Sequence, residues 1–397
     1  MKTLLIYLFD EYIGKLYVEE IRGKEEFSFS FSDDYLLNKN SPIIDPELFK
    51  YSGRQYSSSG VFGFVNDMIP DRFGRLLIER EETEKSIRDK VPAKKLQVSD
   101  YLLRVSDLSR MGGLRIKTEI DGPFLNNDKN AIPPYMYLRE IENASLKIDA
   151  NEPIDEKVYR NLLLPGSSLG GARPKANVYY EDQVFIAKFP TKNDNYDVEL
   201  LEYIAGEIAR KCEIDVPIYR LEKYSNYGHT LLVKRFDRVA GKRIHYISAM
   251  TALGSRDGDS ESYSYIDLVD FIKSNSKNSE KNLKELYKRM IFTFLINDTD
   301  NHLRNHAFIL SGKQYELSPM FDVNPTLFET SFELSMGENK KEIIEQSKYF
   351  GLDVETANSI YNRIGKIIVD QLMDYKNKYT DVSKEIDVLL QITKSRL

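Results

Sequence analysis

The segment Ile296-Asn297-Asp298-Thr299-Asp300-Asn301-His302-Leu303-Arg304-Asn305 sets an aspartate and an asparagine five positions apart. Phosphoryl transfer requires a carboxylate to orient or deprotonate the attacking hydroxyl, oxygen ligands for a divalent cation, and a cradle for the triphosphate. At this spacing Asp300 suits the base, and Asn305 suits a ligand turning its carbonyl oxygen to Mg²⁺. His302, inside the same loop, is counted with the nucleotide-binding set. Residues FILSGKQYEL read as a hairpin with Ser311-Gly312 at its turn, followed directly by Ser318-Pro319-Met320-Phe321-Asp322. A strand pair that returns the chain to the same cleft makes Asp322 the second metal ligand beside Asn305. Singly, Asp300 reads more readily as part of an ordinary capped turn, and Asp322 reads also as a helix cap. Together they form acids at metal-binding spacing that structure alone does not require.

Gly166-Ser167-Ser168-Leu169-Gly170-Gly171-Ala172-Arg173-Pro174-Lys175 supplies the third requirement. Its glycines free backbone N–H groups to meet phosphate oxygens, and Lys175 adds charge. No Lys-Ser/Thr pair opens a helix there, so it is not a Walker A loop. Lys188, in the strand Phe185-Ile186-Ala187-Lys188-Phe189, is the candidate partner of the α/β-phosphates. Glu199 opens the next helical stretch and reads either as a partner of Lys188 or as a surface acid. In Leu231–Arg238, backbone groups around Lys234 and Phe236 read as a hinge offered to adenine. Arg235, Asp237 and Arg238 read equally as a structural ion-pair cluster.

The elements that must hold these groups follow from periodicity. Residues 1 to about 35 alternate apolar and polar as strands, with Gly14 and Gly23 at turns. Ile69-Pro70-Asp71 opens a helix to about Arg88, and a short helix near Ser99 to Arg104 precedes the turn Met111-Gly112-Gly113. Residues 118 to 133 are polar and turn-rich, the best linker candidate. A helix then precedes the glycine loop, and strands are expected at Ala176–Tyr180, Val184–Phe189 and His229–Phe236. Beyond 246 the pattern is mostly helical, at Tyr265–Ser274, Leu283–Asn297, Lys340–Tyr349, Val354–Tyr375 and Ser383–Ile392. The expected class is α+β: a bilobal protein-kinase-like fold with a β-rich N-terminal subdomain (1–120), a small lobe with the phosphate loop (134–238) and a mostly helical lobe (239–397).

The strings GSSLGGARPKA, IAKFP, LLVKRFDR, NDTDNHLRNHAF and LSPMFDV, in this order, resemble the HipA family of serine/threonine kinase toxins. Phe64 to Arg75, Asp100 to Arg104 and Arg110 to Leu114 resemble that family's N-terminal subdomain. The resemblance covers nearly the whole chain. It implies an ATP- and Mg²⁺-dependent kinase with Asp300 as catalytic residue, Asn305 and Asp322 as metal ligands, Lys188 contacting nucleotide and Leu169 to Lys175 as phosphate loop. It further implies autophosphorylation at Ser168 or Ser167, where a dianionic phosphate would repel a loop meant for ATP phosphates. A HipB-like helix-turn-helix antitoxin that carries the DNA contact, and an aminoacyl-tRNA synthetase as protein substrate, are implied in the same way. Arg173-Pro174 stands where some members carry Gln-Glu.

Composition bounds the alternatives. With 397 residues the chain exceeds one compact core. A net charge of −6 argues against a chain-wide grip on nucleic acid, in keeping with DNA met only through a partner. One cysteine, Cys212, excludes an internal disulfide and reads as a buried thiol. The N-terminus reads as a first strand and not a signal peptide, no apolar run approaches a membrane span, and a cytoplasmic setting is expected. Two other readings stand. A phosphoinositide-kinase-like enzyme shares an Asp-x-His-x-x-Asn loop but calls for a basic membrane-facing surface, and no Lys/Arg cluster occurs near 300–325. An inactive pseudokinase co-repressor conflicts with the presence of all the polar site residues.

Overall fold

The computed structural model describes residues 1–128, 131–150, 152–159, 173–256 and 258–397. Ser167, Ser168, Leu169, Gly170, Gly171 and Ala172 of the expected phosphate loop lie outside them. Contacts divide the chain into two compact units, Met1–Lys192 with Asp237–Ile247, and Asn193–Phe236 with Ser248–Leu397. Residues 118–133, expected as a linker, carry no boundary between these units. That stretch is pinned at two points: the Leu125 N–H donates to the Ile116 carbonyl at 2.8 Å and the Tyr179 N–H to the Pro133 carbonyl at 2.8 Å.

In the first unit, strands β1 (Lys2–Leu8), β2 (Glu11–Ile21), β3 (Lys24–Phe31), β4 (Gln55–Tyr56) and β5 (Leu114–Lys117) form an antiparallel sheet in the order β4-β3-β2-β1-β5. Alternate apolar positions of β3 bury Phe27, Phe29 and Phe31, and Phe29 meets Phe64 edge-on at 5.8 Å. Helix α1 (Arg72–Asp89) begins at Asp71, whose Oδ1 accepts the Gly74 N–H at 2.7 Å, and ends at Lys90 in the left-handed region. Helix α2 (Val98–Arg104) and helix α3 (Leu138–Asp149) follow. Strands β6 (Lys175–Tyr180) and β7 (Gln183–Lys188) make a hairpin closed by Glu181 and Asp182, both at positive φ (47° and 57°). That backbone matches the twist of a two-residue hairpin.

The segment 237–247 belongs to this unit because it wraps the Met111-Gly112-Gly113 turn. Asp237 Oδ2 accepts the Gly112 N–H at 2.7 Å and pairs with Arg238 at 2.5 Å, while Arg238 donates to the Arg110 carbonyl at 2.7 Å. Gly112 sits at φ +72°, and a Cβ there would come 3.0 Å from the Tyr246 nitrogen, so the turn requires glycine. For Asp237 and Arg238 the ion-pair reading holds.

In the second unit, helix α4 (Val198–Lys211) packs on strands β8 (Tyr219–Glu222) and β9 (Thr230–Lys234). Helices α5 (Tyr265–Asn275), α6 (Ser279–Ile296), α7 (Lys340–Gln346), α8 (Val354–Lys378) and α9 (Ser383–Arg396) form the helical part. α6 is its axis, packed against α5, α8 and α9 and buried along Met290 to Ile296. The hairpin of β10 (Ala307–Ser311) and β11 (Gln314–Leu317) interrupts the helices as the pattern predicts. Cys212 is buried at the end of α4, and burial pushes its thiol up to about 12, as expected of a structural cysteine. Among the described residues no helix is long and apolar enough to cross a membrane.

Candidate active site

The loop 297–305 is a continuation of α6, stopped by Asn297 in the left-handed conformation (φ +62°) that asparagine tolerates at a helix end. Asn297 then works as a hub. Its Nδ2 donates to the carbonyls of Thr326 (2.8 Å) and Glu329 (3.0 Å), its carbonyl accepts the Thr326 N–H (2.9 Å), and its Oδ1 accepts from Arg396 (2.7 Å). Asn301 pairs both ends of its amide with the backbone of Leu334, at 3.2 and 3.3 Å. The Glu333 N–H donates to the Thr299 carbonyl at 3.1 Å. The loop carrying Asp300 is therefore sewn to residues 326–334 on two sides. These scaffold residues escaped sequence reading. An asparagine just past a long apolar helix was the one local signal.

Within that frame Asp300 projects outward, its side chain 57% exposed and its Oδ1 3.7 Å from His302 Nε2. Partial burial raises its carboxyl above the ordinary aspartate range; His302 opposes the shift, and the charges of Asp322, Glu333 and Glu329 add to it. A base poised above the usual range is closer to the working pH of proton transfer. Asn305 donates its Nδ2 to the Asp300 carbonyl at 2.8 Å, a bond that does not use its Oδ1. His306, next in line, is buried edge-on against Tyr265 and falls to about 3, so it stays neutral.

Asp322 adopts φ +59°, a conformation that costs a non-glycine residue roughly 1–2 kcal/mol. The turn that glycine usually supplies after such an aspartate is taken here by the aspartate itself, and Val323 follows. Asn324 donates Nδ2 to the Asp322 carbonyl (3.2 Å) and Oδ1 (3.3 Å). Its own Oδ1 is buried with no hydrogen-bond partner among the described residues. Asp298, which sequence reading passed over, is fully buried and raised well above its usual range, first by burial and then by Asp300 and Asp322. Its Oδ1 accepts the Asn324 N–H at 3.4 Å. The negative charges of Asp300 and Asp322 thus act both on buried Asp298 and on one another.

Asn305, Asp322 and the orphaned Asn324 Oδ1 are all oxygen donors, the ligand set of a hard cation such as Mg²⁺. Among the described residues no three His, Cys, Asp or Glu side chains group as a metal cage. A cation here would complete its shell with water and phosphate oxygens.

The Phe236 ring lies 5.4 Å from that of Phe321, the neighbour of Asp322, tilted by 40°. The Lys234 N–H is spent on the Ile218 carbonyl at 2.9 Å, so its backbone donor is taken. Lys188 is buried in the β6–β7 hairpin, directly across from Lys175. Lys175 is also buried and lies 3.9 Å from Asp71, which offsets one of the two adjacent charges. Arg173 is half-buried just before β6. Glu199 is buried on α4, so it is not the surface acid of the simpler reading.

Because Glu333 helps to raise Asp300, Glu333→Gln should lower the Asp300 pKa and keep its base form available at lower pH. The acid limb of the activity–pH profile is expected to move to lower pH in this variant. A limb that stays in place would remove Glu333 from the account.

The fold and the loop define a kinase-like class, and the α+β, bilobal protein-kinase-like architecture expected from sequence holds. HipA of Shewanella oneidensis MR-1, solved with HipB and operator DNA, superposes with a TM-score of 0.70 at 17% identity, over 99% of this chain and 97% of that one. The HipA-like C-terminal domain model matches residues 167–372, and the chain belongs to the HipA family. A Haemophilus influenzae protein named "Putative kinase" is 26% identical over 179 residues, 40% of this chain and 52% of that protein, so about half of that relative is spanned. A Sinorhizobium fredii protein named "Putative kinase Y4dM" is 23% identical over 317 residues, 75% of this chain and 72% of its own length.

Proposed function

We propose that this chain is an ATP- and Mg²⁺-dependent serine/threonine-protein kinase, the toxin of a toxin–antitoxin pair. The observation that carries the reading is the loop itself: an exposed carboxylate of raised pKa beside an Asn–Asp pair of oxygen donors. Asp300 orients the acceptor hydroxyl and takes its proton as the oxygen bonds to the γ-phosphorus and the bond to ADP breaks. Asn305 and Asp322 hold Mg²⁺, which when bound neutralises charge on the phosphate oxygens. Lys188, Arg173 and Lys175 serve the phosphates, and Leu169 to Ala172 complete the phosphate loop. His302 stands beside Asp300, and the hinge at Lys234 and Phe236 borders the adenine.

In this reading, residues 134–238 form the nucleotide lobe, 239–397 the catalytic lobe, and 1–120 the added subdomain. Ser168 or Ser167 is the autophosphorylation site. The protein substrate is an aminoacyl-tRNA synthetase, whose modification halts translation in the cytoplasm. The Shewanella complex contains HipB and operator DNA, which supports a HipB-like antitoxin as partner here and DNA contact through it.

Expressing the chain without its antitoxin is expected to slow growth, and Asp300→Asn is expected to relieve the arrest. Equal arrest by the Asp300→Asn chain would mean that growth inhibition is not enzymatic.

A further inference from the structure

Behind the segment that carries Asp322 lies a polar chain on different elements. The Met320 N–H donates to the Asp215 carbonyl at 2.7 Å. The Asp215 N–H in turn donates to Glu285 Oε1 at 2.9 Å. Asp215 lies in the short loop that follows α4, and Glu285 lies on α6, so one residue, through the N–H and C=O of its two flanking peptides, joins α6 to the segment two residues before Asp322. The other end of that segment is held by the Ser318 N–H, which donates to the Ala307 carbonyl at 3.0 Å.

Glu285 is itself fixed. Lys288 and Arg289, three and four residues on along α6, reach its carboxylate at 2.7 and 3.1 Å. Lys288 also donates to the Glu213 carbonyl, and Arg363 of α8 pairs with the Glu213 carboxylate at 3.0 Å. The Glu285 side chain is only 14% exposed. Burial pushes its carboxyl up, but Arg289 and Lys288 outweigh this and hold it below the ordinary range, so it remains an ionised acceptor. Glu285, Asp215, Lys288 and Arg363 line a groove of about 1160 Å³, and none of Asp300, Asn305 and Asp322 lines it. The network is therefore separate from the site it braces.

A left-handed aspartate persists only where its surroundings over-determine it. Asp322 receives stabilisation from Asn324 on one side; on the other, Phe321 packs against Phe236 and the Met320 N–H is bonded to Asp215. We propose that Glu285 is a positioning residue for the metal site: through Asp215 and Met320 it sets the backbone that aims the Asp322 carboxylate. The proposal rests on the reading of Asp322 as a Mg²⁺ ligand. It places metal affinity under the control of a solvent-reachable ion-pair network behind the catalytic loop.

The test uses the full chain, with Mg²⁺-dependent binding of a non-hydrolysable ATP analogue followed by calorimetry, and thermal unfolding measured in parallel. Glu285→Ala and Glu285→Asp, which lose the reach to the Asp215 N–H, should raise the half-saturating Mg²⁺ concentration about tenfold, as loss of an outer-shell partner does. Glu285→Gln keeps an acceptor at the same reach and should stay within about threefold of wild type. Ile364→Ala, a buried α8 position, should lower stability while leaving the Mg²⁺ dependence unchanged. Wild-type Mg²⁺ dependence in Glu285→Asp and Glu285→Ala, with Asp322→Ala weakened, would overturn the brace. So would weakening in Glu285→Gln alone, since charge and not reach would then matter. Undiminished Mg²⁺ dependence in Asp322→Ala would instead overturn the metal assignment itself.

Discussion

Asp300→Asn is expected to lower phosphoryl transfer by about 10²–10⁴-fold, the range over which a positioned general base contributes. Asparagine keeps the shape and the loop backbone, including the Asn305 bond to the Asp300 carbonyl, but cannot accept the hydroxyl proton. The side chain is more than half exposed, so stability should change by no more than about 0.5 kcal/mol. Removing its negative charge also relieves Asp298, which Asp300 helps to raise, and the small change should favour the fold. Nucleotide binding should survive. Steady-state transfer of γ-phosphate and an unfolding curve, measured on the same preparation, check both halves. Near-wild-type transfer would remove Asp300 from the chemistry.

Asp322→Ala should be nearly as damaging by a different route. It deletes one of the two charged or amide ligands proposed for Mg²⁺, and with it several kcal/mol of charge neutralisation on the phosphates, which corresponds to about 10²–10³-fold or more in rate. The effect should be read first in metal dependence: higher Mg²⁺ partly restores Asp322→Ala but not Asp300→Asn. Two folding terms oppose one another here. Alanine in a left-handed conformation is strained, while loss of one acid from the Asp298–Asp300–Asp322 cluster relieves repulsion. Equal Mg²⁺ response in the two variants would show that the residues do not hold the separate roles assigned to them.

The parts of this site that sequence reading reached are those written in local pattern. α6 was legible as a long apolar helix, the β10–β11 hairpin as two short runs about a glycine, and the reactive residues by their types and spacing. The turn itself falls one position on, since Ser311 pairs with Gln314 and leaves Gly312-Lys313 between them. What was not legible depends on contacts distant in sequence. Asp298 reads like any loop acid until burial places it beside Asp300 and Asp322. Asn297 and Asn301 matter through residues about 30 positions away. The return of 237–247 to the first unit is a matter of Asp237 meeting Gly112, 125 residues earlier. The polar stretch 118–133 looked like a linker because turn residues dominate it, yet its backbone bonds hold it against β5 and β6. The Glu181-Asp182 turn lacks the glycine that usually marks one, and its positive φ values follow from the hairpin around it.

The central claim is that this chain moves a phosphate from ATP with Asp300 as base, and intact-mass analysis with nucleotide assay tests it most directly. Purified wild type incubated with Mg²⁺-ATP should form ADP and gain one phosphate, mapped to Ser168 or Ser167, while Asp300→Asn alongside should do neither. Unchanged mass with unconsumed ATP in the wild type, or the same gain in Asp300→Asn, would contradict it.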